Sequence, residues 1–171
     1  MSVPETSELF LEFSRHTLLE QYWPRLHSCV ESLSDEHVWW RPNASSNSVG
    51  NLVLHLDGNV RQWLIASFRR QNDARDRPAE FSRSGGLSAA ELLTRLETTM
   101  REVAGVLAGL TEQDLRTPFE IQGYKVTGLE TVYHVVEHFG LHYGQICYIT
   151  KMLRDVNLGF YRELDQTGRV F

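Results

Sequence analysis

Several things are scarce in this sequence, and each scarcity narrows what the chain can be. There are 2 cysteines in 171 residues, Cys29 and Cys147, and they form no CxxC pair. A disulfide framework is excluded, and each thiol is expected to be a buried, inert small side chain. No long Lys/Arg run exists, and the formal net charge is −5. The densest basic stretch, RRQNDARDR at 69–77, is diluted by Asp73 and Asp76 and reads as a solvated loop. Binding to a phosphate backbone is therefore not expected. No apolar run approaches the roughly 18–20 residues that span a bilayer. The N-terminal MSVPETSELFLEFSRH lacks the basic start and apolar stretch of a signal peptide. Neither a nucleic-acid nor a membrane partner is expected, and the cytoplasm is the expected location.

What remains is ordinary for a globular protein, 42% hydrophobic and 23% charged, and of a length suited to one domain spanning 1–171. Four long helical patterns stand out. The first runs from about Thr6 to Leu33, with Pro24 expected to kink or restart it. A short turn of helix precedes Pro42. The second pattern runs from Asn47 or Ser48 to about Arg70, with Leu52, Leu56, Val60 and Trp63 on its apolar face. A Pro/Gly/charge-rich loop covers 71–86. Ser88 to Glu91 is a capping box opening the third helix, which reaches about Leu110. TPFEIQGYKVTG at 117–128 reads as a short hairpin or a lid-like loop. Thr127 to Glu130 is a second capping box, opening a fourth helix to about Arg154. The aromatics of the tail are expected to pack back on the helices. The fold class is all-α, a four-helix bundle, with helices one and two, and three and four, as antiparallel neighbours.

The 7 histidines are not scattered evenly. His134, His138 and His142 stand four residues apart in HVVEHFGLHYGQI. With His134 at zero on a helical wheel, His138 falls at about 40° and His142 at about 80°. Val135, Ile146, Ile149 and Leu153 fall at about 60–120°, so the apolar arc lies close to His142. A core-facing imidazole needs a partner for each ring nitrogen, or it costs desolvation energy. A metal satisfies one nitrogen and a nearby acceptor the other. His138 and His142 at i, i+4 can grip one ion. His55, at the edge of the second helix's apolar face, can supply a third ligand. Three histidines would leave positions open to water or substrate. His134, at the edge, is expected to support the ligands or face solvent. Asn59 and Gln145 are candidates for orienting ligands or substrate. His16, His27 and His37 have no companions at ligand spacing and read as surface residues.

The same letters spell H-x-x-E-H from His134 to His138, the inverted zinc-protease pattern. There the glutamate acts as base, but Glu137 falls at about −60°, on the solvent side of the wheel. That reading is set aside.

NSVGNLVLHLDGNVRQWL at 47–64 and VYHVVEHFGLHYGQICYITKML at 132–153, about a quarter of the chain, resemble the DinB-like superfamily. The signature is a histidine on the second helix and H-x-x-x-H-x-G-Q-I on the fourth, here His55 and His138 to Ile146. WWRPN at 39–43 and LGFYREL at 158–164 are similar to one subgroup whose function is poorly defined. The resemblance implies a DinB-like four-helix bundle with an unusual connection order, often a homodimer. It implies a divalent metal, typically nickel or zinc in crystals, held by His55, His138 and His142; iron and manganese suit the same ligands. Some relatives are S-transferases using a low-molecular-weight thiol, and one branch isomerises maleylpyruvate. The implied activity is metal-dependent thiol transfer to a small electrophile, with a hydrolase-like reaction as a further enzymatic option. The competing reading is a non-catalytic metal-binding stress protein, since no dedicated general base is evident.

Overall fold

The computed structural model describes residues 4–161. The first long helix is continuous but not uniform. α1 (Thr6–Arg15) passes into a π-helical stretch, His16–Tyr22, and then into α2 (Trp23–Glu31). Pro24 sits in the first turn of α2. A proline inside an α-helix removes one hydrogen bond and clashes with the carbonyl four residues earlier. The π stretch ahead of it absorbs that conflict, so the helix restarts instead of breaking. α3 (Asp35–Trp39) is capped by Ser34 and stops before Pro42.

α4 (Val49–Val60) opens on a capping box: Ser48 Oγ accepts from Asn51 N–H, and the Asn51 side chain returns to the Ser48 backbone. All twelve of its residues are buried. It continues through a π stretch, Arg61–Ala66, into α5 (Ser67–Arg69), and Arg70 ends it in the left-handed conformation, φ 52°. The expected loop contains α6 (Arg77–Ser82), capped by Asp76. α7 (Ala89–Gly109) and α8 (Glu112–Arg116) follow. β1 (Pro118–Ile121) and β2 (Tyr124–Thr127) form an antiparallel hairpin. Its two-residue turn, Gln122-Gly123, has φ 55° and 80°, the primed turn that matches strand twist. α9 (Gly128–Arg154) starts at the expected Thr127/Glu130 capping box. No helix among the described residues is long and apolar enough to cross a membrane.

Side-chain pairs give the direction of each helix. Asn59 meets His134 and His55 meets His138, so α4 and α9 are antiparallel. Asp57 meets Arg95 and Arg61 meets Glu102, so α4 and α7 are parallel. Tyr22 stacks on Phe139 and Cys29 touches Cys147, so α2 and α9 are parallel. The order is up-down-down-up. The main partners of α4 are α7, α6 and α9, while α2 packs on α9 and α7. Helices one and two thus occupy opposite corners, as do helices three and four, correcting the expectation that each pair is adjacent. Short turns make antiparallel neighbours; here the links over 40–48 and 110–127 cross to the opposite corner, and the long link over 70–88 runs back along the bundle to the parallel neighbour α7. The core between them holds Leu26, Leu56, Leu64, Leu92, Leu96, Val135, Phe139 and Ile146, all fully buried. Burying each such side chain stabilises by about 1.5–3 kcal/mol before chain entropy is counted.

The tail folds back as far as it is described. Leu158 and Phe160 pack against the core, and the Arg25 guanidinium lies 5.0 Å from the Tyr161 ring centroid. The rest of the LGFYREL segment lies outside the described residues.

Candidate metal centre

The fold brings three of the expected residues to one point. His55 on α4 and His138 and His142 on α9 place their ligand atoms within 4.8 Å of one another. His55 Nε2 and His138 Nε2 are 3.0 Å apart. Two imidazole nitrogens on one ion, each about 2.0–2.1 Å from it, would stand about 2.8–3.4 Å apart at octahedral or tetrahedral angles. The side chains present therefore fit a shared ion, and the cluster can hold one.

The other ring nitrogens are held in place. His55 Nδ1 donates to Glu80 Oε2 at 2.9 Å. Arg75 Nη2 also approaches this nitrogen, at 3.0 Å; with the proton on Nδ1 facing the carboxylate, which only accepts, the Nε2 lone pair points to the centre. His142 Nδ1 donates to Gln145 Oε1 at 2.8 Å, which frees its Nε2 in the same way. Carboxylate–histidine and amide–histidine pairs of this kind orient metal ligands and raise their basicity. Burial, followed by the neighbouring His142, His134, His55 and Arg75, drives the His138 pKa down to about 3. Burial also lowers His142 and His134. His138, His142 and His134 are therefore neutral at pH 7, the protonation state that metal binding requires.

His134 stands beside the centre and is not part of it. Asn59 Nδ2 donates to its Nε2 at 3.2 Å, and its ring lies 3.9 Å from that of Trp63. The buried face of α9 is rotated slightly from the expected one. The buried positions of α9 include Val132, Val135, Phe139, Ile146 and Thr150, an arc centred beyond His142 at about 120°. The histidines line its flank and are half-buried. Glu137 is exposed, as the wheel indicated. His16 and His27 lie elsewhere, facing Glu20 and Glu31.

The residues that sequence reading missed come from the supposed solvated loop. The Arg75 side chain is 4% exposed, and its guanidinium forks onto Glu80 at 2.7 and 2.9 Å. Burial raises the Glu80 carboxyl, but hydrogen bonds and charge from Arg75 and His55 outweigh it, and the net shift is downward. Asn51 fixes α6 to α4, donating to the carbonyls of Glu80 and Arg83, each at 2.8 Å. Gly58 makes the close approach possible. A Cβ there would lie 2.1 Å from Glu80 Oε1 and 2.9 Å from Arg75 Nε. The one legible signal was this glycine in the middle of a helical pattern, HLDGN.

A cleft of about 450 Å³ opens beside His55 and His138. Asn59 and Trp63 form one wall, and Gln122, Tyr124 and Val126 of the hairpin another. The hairpin tip is fastened by Gln122 to Gln62, which also accepts from Arg75. Two buried polar atoms on the Asn59/Trp63 wall, Asn59 Oδ1 and Trp63 Nε1, have no partner among the described residues. Buried polar atoms are rarely left so, and both belong to residues that line the cleft.

This fold and site define a class: a helical bundle with a three-histidine centre between its second and fourth long helices. Residues 5–161 match the family model described as Protein of unknown function (DUF1572), and the chain belongs to that family. The fold is shared with a conserved protein from Enterococcus faecalis, at 14% identity and TM-score 0.70 over 87% of this chain and 97% of that one. A DinB-like protein from Bacillus subtilis matches at 21% identity and TM-score 0.67, covering 88% and 97%. A DinB-like protein from Bacillus cereus matches at 14% and 0.63, covering 81% and 90%. The fold is therefore DinB-like. No curated protein matches the sequence.

Proposed function

We propose that this protein is a divalent-metal-dependent enzyme that activates a small thiol and transfers it to a small electrophile. The observation that carries this reading is the three-histidine cluster at the edge of an open cleft. His55, His138 and His142 would hold the ion, with Glu80 and Gln145 fixing the rings of His55 and His142. A bound divalent ion would supply Lewis acidity, lowering the pKa of a thiol so that it reacts as thiolate. The chain's own part is to bind and enclose. Trp63, Tyr124 and Val126 would give the electrophile apolar walls. Imidazole ligands suit zinc, nickel, iron and manganese alike, so cellular supply selects among them. A cytoplasmic location would provide a reduced thiol pool.

The alternative is a metal-binding protein without catalysis. What favours it is the shortage of a free base, since Glu80 is committed to Arg75 and His55. Metal-loaded protein should be assayed with bacillithiol, glutathione and mycothiol against a model electrophile. Turnover that disappears in His138→Ala supports the enzyme. No turnover above that variant with any of the thiols supports the binding protein. The homodimer implied by the resemblance is favoured by an exposed stripe on α9: Leu141, Tyr148 and Met152 are 57%, 70% and 49% exposed. Light scattering of the purified protein checks it, and a monomer at micromolar concentration removes it.

A further inference from the structure

The two cysteines lie far apart in sequence yet touch in the fold. Cys29 Sγ on α2 and Cys147 Sγ on α9 are 3.7 Å apart, across 118 positions of sequence. The expectation that each thiol is buried holds for Cys29, while Cys147 is only half-buried. Cys147 is five positions beyond His142 and about 140° round the helix from it, facing α2 and away from the histidine cluster. The helix pair that carries the two thiols is firmly packed there. Tyr22 stacks on Phe139 and on Tyr143, with ring centroids 6.4 and 5.2 Å apart.

The two thiols differ in their surroundings. Cys29 is fully enclosed, whereas Cys147 is half-buried and reachable from solvent. The contact with Cys29, together with Tyr143, Arg25 and Lys151, holds the Cys147 thiol below its usual pKa against the opposing effect of burial. The contact with Cys147 and burial push the Cys29 thiol well up. An accessible, more acidic thiol beside an enclosed one is the arrangement of an attacking and a resolving cysteine. Simple packing of two small side chains would require neither the accessibility nor the basic neighbours.

We propose that Cys29 and Cys147 form a reversible dithiol–disulfide site oxidised by hydroperoxides. The Cys147 thiolate attacks one peroxide oxygen. The O–O bond breaks, and the departing hydroxide takes a proton to leave as water. Cys147 is then a sulfenic acid. Cys29 sulfur attacks Cys147 sulfur, the S–S bond forms and the S–O bond breaks. Hydroxide leaves with the Cys29 proton as a second water. Two thiols and one hydrogen peroxide become one disulfide and two waters. Closing from contact to a disulfide needs the sulfurs to approach by about 1.7 Å, a side-chain adjustment shared between two helices. The product ties the first long helix to the last.

The test uses the reduced, full-length protein and stoichiometric hydrogen peroxide. Thiols are counted and intact mass is read without reductant. The expected result is loss of both thiols together and a mass fall of about 2 Da that dithiothreitol reverses. A peptide digest should contain Cys29 joined to Cys147. In Cys29→Ala, Cys147 should stop at the sulfenic acid and be trapped by dimedone. In Cys147→Ala, Cys29 should react at least about tenfold more slowly than the wild-type pair. Oxygen added to Cys147 while Cys29 stays free, or both thiols surviving, overturns the proposal. The wild-type mass decides this even where a variant folds poorly.

Discussion

α4 carries buried polar groups toward two neighbours, and the two sides are built on opposite principles. Toward α7, Asp57 is fully buried and completely answered: Arg95 donates at 2.5 Å, Arg61 at 3.3 Å, and Thr99 through its hydroxyl. Toward α9, His55 has one nitrogen answered by Glu80, while the other faces a second imidazole nitrogen at 3.0 Å. The Asp57 carboxylate has its partners supplied by the protein and holds helices together. The His55 side converges on a point that protein atoms do not fill. Buried polar networks that satisfy themselves are structural, and those that leave lone pairs converging are places to look for a ligand.

Either side of α4 can be disrupted, and Glu80→Ala should do so most severely. It leaves Arg75 as a buried unpaired charge, so a stability loss of about 3–5 kcal/mol is expected in chemical unfolding. Metal affinity should fall about 10–100-fold as well, because His55 loses its orienting partner. Gly58→Ala should move both readings in the same direction by less, since it displaces Glu80 without removing it. Removing a ligand separates the two properties. His138→Ala should lower metal affinity by at least about 100-fold, more than loss of an orienting residue does. The stability of the metal-free protein should hardly change, as checked by competition with a chromogenic chelator and by urea unfolding.

Asp57→Ala should show the reverse. Arg95 is 56% exposed and can turn to water, so the loss is that of hydrogen bonds, about 1–3 kcal/mol, with metal content unchanged. The last difference is in pH dependence. The folded chain holds His138 with a pKa of about 3, below the ordinary histidine value of 6.5. Between those limits the unfolded chain binds a proton that the folded chain does not, so stability of the metal-free protein rises with pH across that window. Unfolding at pH 4.5 and 7 should give a shallower slope in His138→Leu than in the wild type.

The parts of the molecule that repeat at helical spacing were legible in the sequence. The capping boxes at Ser88 and Thr127 start their helices where expected, and i, i+4 spacing put His138 beside His142. His55 required only a second core-facing helix. Helix order was not legible, because the sequence of a link does not say which corner of the bundle it crosses to. Arg75 and Glu80 were hidden for a different reason. They lie in a segment of mixed charge with no period, and mixed charge is usually solvated. Only a buried partner changes that, and His55 is 25 positions earlier. The Cys29–Cys147 contact was hidden by the same sequence distance.

His55, His138 and His142 are expected to share one ion. Elemental analysis tests it most directly, on tag-free protein never exposed to a nickel column, beside His55→Ala and His138→Ala. The account predicts about one divalent metal per chain in the wild type and loss of it in both variants. A wild-type protein that stays metal-free after reconstitution, or variants that keep their metal, would contradict it.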